Sequence, residues 1–352
     1  MTASELCALR LRNQALDASV FSGPAEVVTH MGAMQAQDYA MALWAVGTRL
    51  PGSTESLVQQ ALDQGLILRT HVLRPTWHLV HAADIRWMLQ LSAPHINSGI
   101  ASALRKLELN EAIFLKSNNI LGNALADGRH LTREELAPVL EKNGIALSGL
   151  RLLHLFFRAE LDGLICSGIP RGKNNTYALL EQRVPAQSPL SREEALARLC
   201  LRYFSSHGPA TLADFSWWSG LPLTEARKGL QSVQNQLHEV IFESESYFFT
   251  ESVPYLKNTA GNTLLLPAFD EYLIAYKKRG LFLPEAHTRE VITGNGIFRP
   301  LILHEGQARG TWKRTRKKTR TEMDYRFFAP EFKLKKSLLQ AAEKAYHTFL
   351  HS

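Results

Sequence analysis

Two glutamines, Gln35 and Gln37, stand one residue apart between two apolar patterns of helical spacing. A glutamine amide does not titrate, so it cannot serve as an ordinary general base, but it can orient a water molecule through hydrogen bonds. Residues i and i+2 point to nearly opposite sides of a continuous helix, so the two side chains can share a site only if the first helix ends near them. Spacing alone favours a simpler interpretation, in which both are polar residues of a helix–helix turn and Asp38 is the N-cap of the second helix.

Three further residues have side chains suited to proton transfer. Asp270 and Glu271 form an acidic pair in an apolar setting, which could act as an acid or a base. The simpler interpretation is a strand-end cap, or an ion pair with one of the cations Lys277, Lys278 and Arg279. His78 could reach a site beside a predicted hairpin, and a structural, hydrogen-bonded histidine fits equally well. The chain contains no phosphate loop, dinucleotide fingerprint, zinc-protease motif or serine-hydrolase elbow, so the sequence indicates none of those enzyme classes.

Residues 309–320 hold the whole basic excess of the chain. Seven of these residues are basic and none is acidic; without them the 40 lysines and arginines fall to 33, equal to the 33 acidic residues. Such a concentration is typical of a surface that binds a polyanion, although a solvated loop would look similar. Trp312 and the threonines give the segment strand character, which favours nucleic-acid contact. The seven are Arg309, Lys313, Arg314, Arg316, Lys317, Lys318 and Arg320.

Composition indicates a globular protein with two or more domains. The chain has 352 residues, of which 45% are hydrophobic and 21% are charged. We expect no membrane span, because no apolar run has the required length. The three cysteines are scattered, which predicts neither disulfides nor a zinc site and fits a reducing cytoplasm. We therefore expect neither a metal nor a cofactor.

Hydrophobic periodicity predicts an α+β fold in which helices alternate with hairpins. Three helices followed by a hairpin at residues 66–80 have the order of a winged helix. Capping boxes at Thr132 and Ser191 begin two further units, the second with helices at 212–218 and 224–236 and a strand at 240–250. A helix is predicted at 149–166. Residues 1–81 are predicted to form a first winged-helix (helix-turn-helix) unit, and residues 82–130 a helical connector. Residues 131–185 and 186–255 are predicted to form two more winged-helix units. A small β-barrel-like domain is predicted at 256–332 and a closing helix at 333–352.

Two features of the third unit have alternative interpretations. The helix at 224–236 carries Arg227 and Lys228 and could read a nucleic-acid groove, or it could pack between domains. The neighbouring Trp217 and Trp218 fit a hydrophobic core better than a stacking platform, because they lie in the short helix of the unit.

The residues resemble those of the winged-helix DNA glycosylases typified by AlkZ and YcaQ. The resemblance rests on segments in order along nearly the whole chain: 34–38, 68–80, 265–272 and 310–312. Gln35-Ala36-Gln37 is similar to the Gln-x-Gln pair of the AlkZ-like branch, whereas the YcaQ-like branch has Gln-x-Asp. Pro75 departs from the family, which has glycine before its Thr-x-His.

The resemblance implies a monofunctional, metal-free glycosylase that removes alkylated bases from double-stranded DNA, and in the AlkZ branch also unhooks interstrand crosslinks. Gln35 and Gln37 would position water and stabilise the positive sugar, with Asp38, His78 and Asp270 as helpers. Residues 277–279 and the basic segment would hold phosphates. A cationic N7- or N3-alkylated purine leaves without an acid, so a site of glutamines suits it. We expect a monomer in the bacterial cytoplasm, associated with the nucleoid when bound to DNA.

A protein of another class fits part of the pattern. A non-catalytic winged-helix DNA-binding protein or transcription regulator would share the helices, the hairpins and the basic segment. A regulator normally needs a dimer surface and an exposed recognition helix, and the sequence indicates neither. An RNA-acting relative is a third interpretation. Formation of abasic sites on alkylated DNA distinguishes the enzyme from the regulator.

Overall fold

The computed structural model describes residues 1–250, 262–316 and 321–351, which form an α+β fold. The helices of this described part are α1 (Ala3–Asn13), α2 (Pro24–Met31), α3 (Tyr39–Gly47), α4 (Glu55–Asp63), α5 (Ile85–Lys106), α6 (Glu111–Leu125), α7 (Arg133–Lys142), α8 (Arg151–Leu161), α9 (Leu180–Arg183), α10 (Arg192–Ser206), α11 (Leu212–Ser219), α12 (Leu223–Val233), α13 (Glu271–Ile274), α14 (Thr288–Val291) and α15 (Lys336–His351). Its strands are β1 (Ala33–Gln35), β2 (Ile67–His71), β3 (Trp77–His81), β4 (Leu131–Thr132), β5 (Ile165–Ser167), β6 (Thr176–Leu179), β7 (His238–Phe242), β8 (Glu245–Phe249), β9 (Thr263–Leu266), β10 (Leu301–His304), β11 (Gln307–Arg316) and β12 (Thr321–Phe327).

The chain divides into two compact units. Unit 1 contains Met1–Gln59, Leu196–Trp218 and Pro222–Ser352, and unit 2 contains Gln60–Ala195 and Ser219–Leu221. The predicted boundary between residues 255 and 256 lies outside the described residues. The glutamine pair and the C-terminal sheet therefore belong to the same unit, although more than two hundred residues separate them in sequence.

The first helical pattern ends before the glutamines, as predicted. α2 begins with a proline at its first turn and is capped at its C-terminus by Gly32, whose φ of 77° is a left-handed conformation that favours glycine. Asp38 is the N-cap of α3, because its carboxylate accepts a hydrogen bond from Met41 N–H at 3.1 Å. Between them lies the short strand β1 rather than the predicted simple turn, so Gln35 is held in extended backbone.

Four antiparallel strands form the C-terminal sheet of unit 1, in the order β12-β11-β10-β9. Within the described part of the chain β9 and β12 are edges, so the sheet is open and the predicted barrel-like closure is not found. Indole N–H groups of Trp44 and Trp312 donate to the carbonyl oxygens of Leu265 and Leu266, both at 2.7 Å. These bonds fix the end of β9, from which the chain continues into the acidic pair.

The core of unit 2 is built around α6, α7 and α8. Phe114 and Leu121 of α6 pack with Leu136 of α7 and Phe156 of α8, all at most 2% exposed. The helix predicted at 149–166 ends earlier, because Gly163 adopts a φ of 68° and the following residues form strand β5. β5 and β6 pair as a hairpin, and β2 and β3 form the hairpin predicted at 66–80.

The predicted helices after Ser191 are confirmed as α10, α11 and α12. Both capping boxes are also present, at Thr132 and at Ser191. The single strand predicted at 240–250 is wrong: it is the hairpin β7–β8, which turns at Glu243 and Ser244 with positive φ at both residues. In the part of the chain that the structure describes, no helix has the length and apolarity to span a bilayer.

Candidate active site

The glutamine pair lies where β1 passes into α3. Gln35 is 8% exposed, whereas Gln37 and Asp38 are exposed in the bend after the strand. Because this stretch is not helical, the opposite facing of residues i and i+2 in a helix does not apply to it. The backbone N–H of Gln35 donates to Glu271 Oε1 at 2.7 Å. The pair thus combines one side chain held in the interior of unit 1 with one at its surface.

Glu271 is a buried carboxylate surrounded by hydrogen-bond donors. It is 1% exposed, and its Oε2 accepts a hydrogen bond from Trp218 Nε1–H at 2.9 Å. The Nε2 atom of His207 lies 3.5 Å from the same oxygen. A buried charge is costly unless such donors satisfy it. Sequence reasoning considered Glu271 only with its neighbour Asp270, and the contact with Gln35 spans 236 residues, which local patterns do not reveal.

Asp270 pairs with Arg49. The guanidinium donates to both carboxylate oxygens of Asp270, at 2.8 and 2.9 Å, and both side chains are at most 1% exposed. Asp270 also caps the short helix α13 by accepting from Tyr272 N–H. Asp270 thus caps a helix rather than the end of a strand, and the predicted partner at residues 277–279 is wrong. The sequence held one indication of the true partner: Arg49 lies two residues after the apolar helix α3.

Hydrogen bonds extend from Arg49 across the interior of unit 1. Gln14 accepts from Arg49 at 2.8 Å and donates to the Tyr276 hydroxyl at 2.9 Å. That hydroxyl donates to the His207 carbonyl oxygen at 2.7 Å. Burial raises the pKa of Tyr276, so its hydroxyl stays protonated and able to donate. The network holds α1, α3, α10 and α13 in a fixed arrangement around the acidic pair.

His207 is buried and stacked on Tyr203, with ring centroids 5.0 Å apart. Burial lowers the pKa of His207, and this effect outweighs the neighbouring carboxylate of Glu271, which raises it. Burial also lowers the pKa of His30. Both imidazoles are therefore neutral in the folded protein at neutral pH, and Glu271 does not face an imidazolium.

We expect the free energy of unfolding to decrease as the pH falls below about 6.5, the pKa of an unperturbed histidine. Below that pH the unfolded chain binds protons at His30 and His207 that the folded chain does not, so acid favours unfolding. Melting temperatures between pH 8 and 5 measure the effect. His207→Asn should reduce the pH dependence, and His351→Asn, at an exposed position, is the control. An equal dependence in all three proteins would show that His207 does not contribute.

An open cleft of about 520 Å³ lies in unit 1 and is lined by Asp38, the residue after Gln37, although neither glutamine is among its lining residues. Asp38 and Met41 line one side of it, and strands β11 and β12 line the other. Among its lining residues are four cations and two carboxylates, so its charge is positive. The full lining is Asp38, Met41, Arg299, Pro300, Thr311, Trp312, Lys313, Arg314, Asp324, Tyr325 and Arg326.

The predicted cations of the basic segment are distributed along and beyond strand β11. Lys313 is exposed, opposite Asp324 of β12 in the sheet register. Arg314 donates to the Tyr346 hydroxyl, and Arg309 lies 4.9 Å from the Phe332 ring centroid. Arg316 ends β11, and Lys317, Lys318 and Arg320 lie outside the described residues. Sequence analysis missed Arg299 and Arg326, which contribute to the same cleft.

The three predicted cations at 277–279 have different surroundings. Lys277 is exposed, and Lys278 pairs with Glu245 at 2.8 Å. Arg279 donates to the Leu273 carbonyl oxygen, and its guanidinium lies 5.6 Å from the ring centroid of Trp217. Trp217 is 43% exposed, so its predicted core position is wrong, whereas that of Trp218 is confirmed. Lys277 and Lys278 are therefore the exposed cations of this group.

His78 belongs to unit 2, in strand β3. It is fully buried, and its Nδ1 donates to the Thr76 carbonyl oxygen at 2.9 Å. Its Nε2 lies 3.4 Å from a guanidinium nitrogen of Arg74. These contacts agree with a structural role for His78 within its hairpin. Among the residues described, no group of three or more His, Cys, Asp and Glu side chains is arranged to bind a metal.

Comparison with known proteins gives a consistent result. A family model described as DNA glycosylase AlkZ-like matches residues 28–349. An interstrand DNA cross-link repair glycosylase of Streptomyces sahachiroi is 26% identical over 336 residues, which cover 88% of this chain and 87% of that protein. The solved structure of S. sahachiroi DNA glycosylase AlkZ has a similar fold, with a TM-score of 0.83 and 21% identity over 99% of this chain and 96% of that one.

Proposed function

Because the chain belongs to the AlkZ-like DNA glycosylase family, we propose that it hydrolyses the N-glycosidic bond of N7- or N3-alkylated purines in duplex DNA. The observation that carries this proposal is that Asp38, the residue after Gln37, lines a positively charged cleft in the unit that holds both glutamines. A polyanion can bind along the cations while the amides meet the sugar of the damaged nucleotide. The crosslink repair stated for the Streptomyces relative extends the proposal to unhooking of interstrand crosslinks.

The chemistry of an amide pair fits a substrate that is already activated. An alkylated N7 or N3 makes the purine cationic, so the base leaves as a neutral molecule and needs no proton from the enzyme. As the bond breaks, positive charge develops on the sugar. The carbonyl dipoles of Gln35 and Gln37 can stabilise this charge and hold the water that attacks the sugar. Asp38 adds a carboxylate to the lining of the cleft.

The helix–hairpin order along the chain supports successive winged-helix units. α7 and α8 precede the hairpin β5–β6, and α10, α11 and α12 precede the hairpin β7–β8. In α12, Arg227 and Lys228 are exposed while Ala226 and Leu230 are buried, so the helix presents a basic face to solvent. Such a helix suits contact with the phosphate backbone without base-specific reading.

The reaction itself is tested by counting abasic sites. A duplex containing N7-methylguanine should accumulate abasic sites in the presence of the protein and without added metal. A duplex containing uracil should not, because a neutral base needs an acid to leave. A non-catalytic DNA-binding regulator would bind both duplexes and leave both intact. Absence of product on the methylated duplex would therefore contradict the proposal.

The basic segment should supply much of the electrostatic affinity for duplex DNA. Each phosphate contact contributes about −0.9 to the slope of log affinity against log salt concentration. Changing four of its cations to glutamine should flatten that slope and weaken binding to all duplex sequences alike, as measured by fluorescence anisotropy at several salt concentrations. The four are Lys313, Arg314, Arg316 and Lys317.

A charge-matched control tests whether position or net charge matters. Four exposed cations outside the proposed DNA-binding helices and hairpins can be changed to glutamine: Arg105, Lys106, Lys116 and Lys344. If both variants flatten the salt slope equally, net charge rather than the basic segment governs binding. An unchanged slope in the first variant would show that the segment is a solvated surface.

A further inference from the structure

Glu271 makes a connection that the proposed chemistry does not use. Its Oε1 accepts the backbone N–H of Gln35 at 2.7 Å, and its Oε2 accepts the indole N–H of Trp218 at 2.9 Å. The carboxylate is 1% exposed. Both oxygens are therefore engaged by donors of unit 1, one of them on the strand that carries the first glutamine.

The carboxylate itself is held firmly. Asp270, the preceding residue, is fixed by the two hydrogen bonds from Arg49 and caps the helix that Glu271 begins. Upstream, Trp44 and Trp312 bind the last carbonyls of β9. The backbone around Glu271 is thus fixed by hydrogen bonds, and Glu271 in turn fixes the backbone of Gln35 by accepting its N–H.

The backbone leading to Gln35 is also closely packed. Gly32 has a φ of 77°, and a Cβ atom there would lie 3.1 Å from Arg202 Cδ and 3.5 Å from Trp218 Cη2. Trp218 therefore contacts Gly32, just before strand β1, and donates to the Glu271 carboxylate, which binds Gln35 at the end of that strand. Both ends of β1 are thus held in place.

We propose that Glu271 is a positioning residue, which fixes the peptide of Gln35 so that its amide side chain meets the reacting sugar and water in the correct place. The inference rests on the proposed function of Gln35. Amide dipoles help a developing charge only when they are oriented before the reaction, and a displacement of about 1 Å can cost on the order of 100-fold in rate. A neutral glutamine at 271 would have to turn an NH₂ group toward one of the two N–H donors, so it cannot reproduce both bonds.

Glu271→Gln should lower the single-turnover rate of N7-methylguanine excision by on the order of 10- to 100-fold. Affinity for undamaged duplex DNA should stay near that of the parent, because Glu271 is buried away from the cleft lining. Glu160→Gln is the matched control: it neutralises an equally buried carboxylate, in unit 2, which binds His71 and not the glutamine strand. An equal rate loss in both variants would attribute the effect to the loss of any buried carboxylate and overturn the positioning role.

A double-mutant cycle separates positioning from an independent effect. If Glu271 acts through the side chain of Gln35, adding Glu271→Gln to Gln35→Ala should cost no more than about twofold in rate. A full additional loss would overturn the inference. If Gln35→Ala alone keeps the parental rate, the proposed function of Gln35 fails instead, and the two failures are distinguishable.

A measurement on the unmodified protein covers the case in which Glu271→Gln does not fold. The amide hydrogen of Gln35 should exchange slowly with solvent, because it is bonded to a buried acceptor. Residue-resolved hydrogen exchange measures this directly. Fast exchange at Gln35 would show that the bond does not persist and would overturn the inference without any variant.

Discussion

Gln35→Ala and Gln37→Ala should each lower the single-turnover rate of N7-alkylguanine excision by on the order of 100-fold, or about 2.7 kcal/mol. Each substitution removes an amide that orients water or stabilises the positive sugar. Neither residue should be needed for folding: the bond from Gln35 to Glu271 uses the backbone, and Gln37 is exposed. Melting temperature and affinity for undamaged duplex DNA should therefore stay near those of the parent.

Gln60→Ala is a matched control for these variants, since it removes an exposed glutamine from helix α4. It should excise at the parental rate. If both Gln35→Ala and Gln37→Ala also do so, the catalytic assignment is wrong. If both are grossly unstable, the glutamines serve the packing of the turn, which is the simpler interpretation of their spacing.

Arg49→Met should lower the free energy of unfolding by about 3–5 kcal/mol, measured by denaturant titration at neutral pH. The substitution leaves the carboxylate of Asp270 buried without its guanidinium partner, and a buried charge without compensation is strongly destabilising. The double variant Arg49→Met/Asp270→Asn should recover part of the loss, because asparagine is neutral and can still cap α13.

An exposed pair of the same geometry provides the comparison. Arg158 binds Glu111 through two hydrogen bonds of 2.8 Å, but the Glu111 side chain is 72% exposed. Glu111→Gln should cost less than about 1 kcal/mol, because water screens this pair. Equal losses for Arg49→Met and Glu111→Gln would show that burial does not set the strength of the first pair.

Local chemistry predicted several elements well. The capping boxes at Thr132 and Ser191 and the N-cap at Asp38 were all found, because each depends on side chains within a few residues of the helix start. The α+β class and the family were likewise confirmed, the latter because its motifs extend along nearly the whole chain.

The errors came from turns and from distant contacts. Glu243 and Ser244 take positive φ without a glycine, so nothing local marked the turn between β7 and β8. The ion pair of Asp270 was assigned to nearby cations, whereas its partner Arg49 is 221 residues away. The register of β11 and β12 places Glu322 and Asp324 opposite the basic run, so the segment is less purely cationic in the sheet than along the chain.

Unit 1 is formed by three separate stretches of the chain, so the ribosome synthesises its segments at different times. Gln35 leaves the ribosome long before Glu271, Trp312 and α15, whereas unit 2 is almost one uninterrupted stretch, Gln60–Ala195. Domains fold as units during synthesis, so unit 2 can fold while unit 1 still waits for more than half of its residues, Pro222–Ser352. The glutamine pair is then anchored only near the end of translation, and an incomplete chain carries the motif without the buried contacts that organise it.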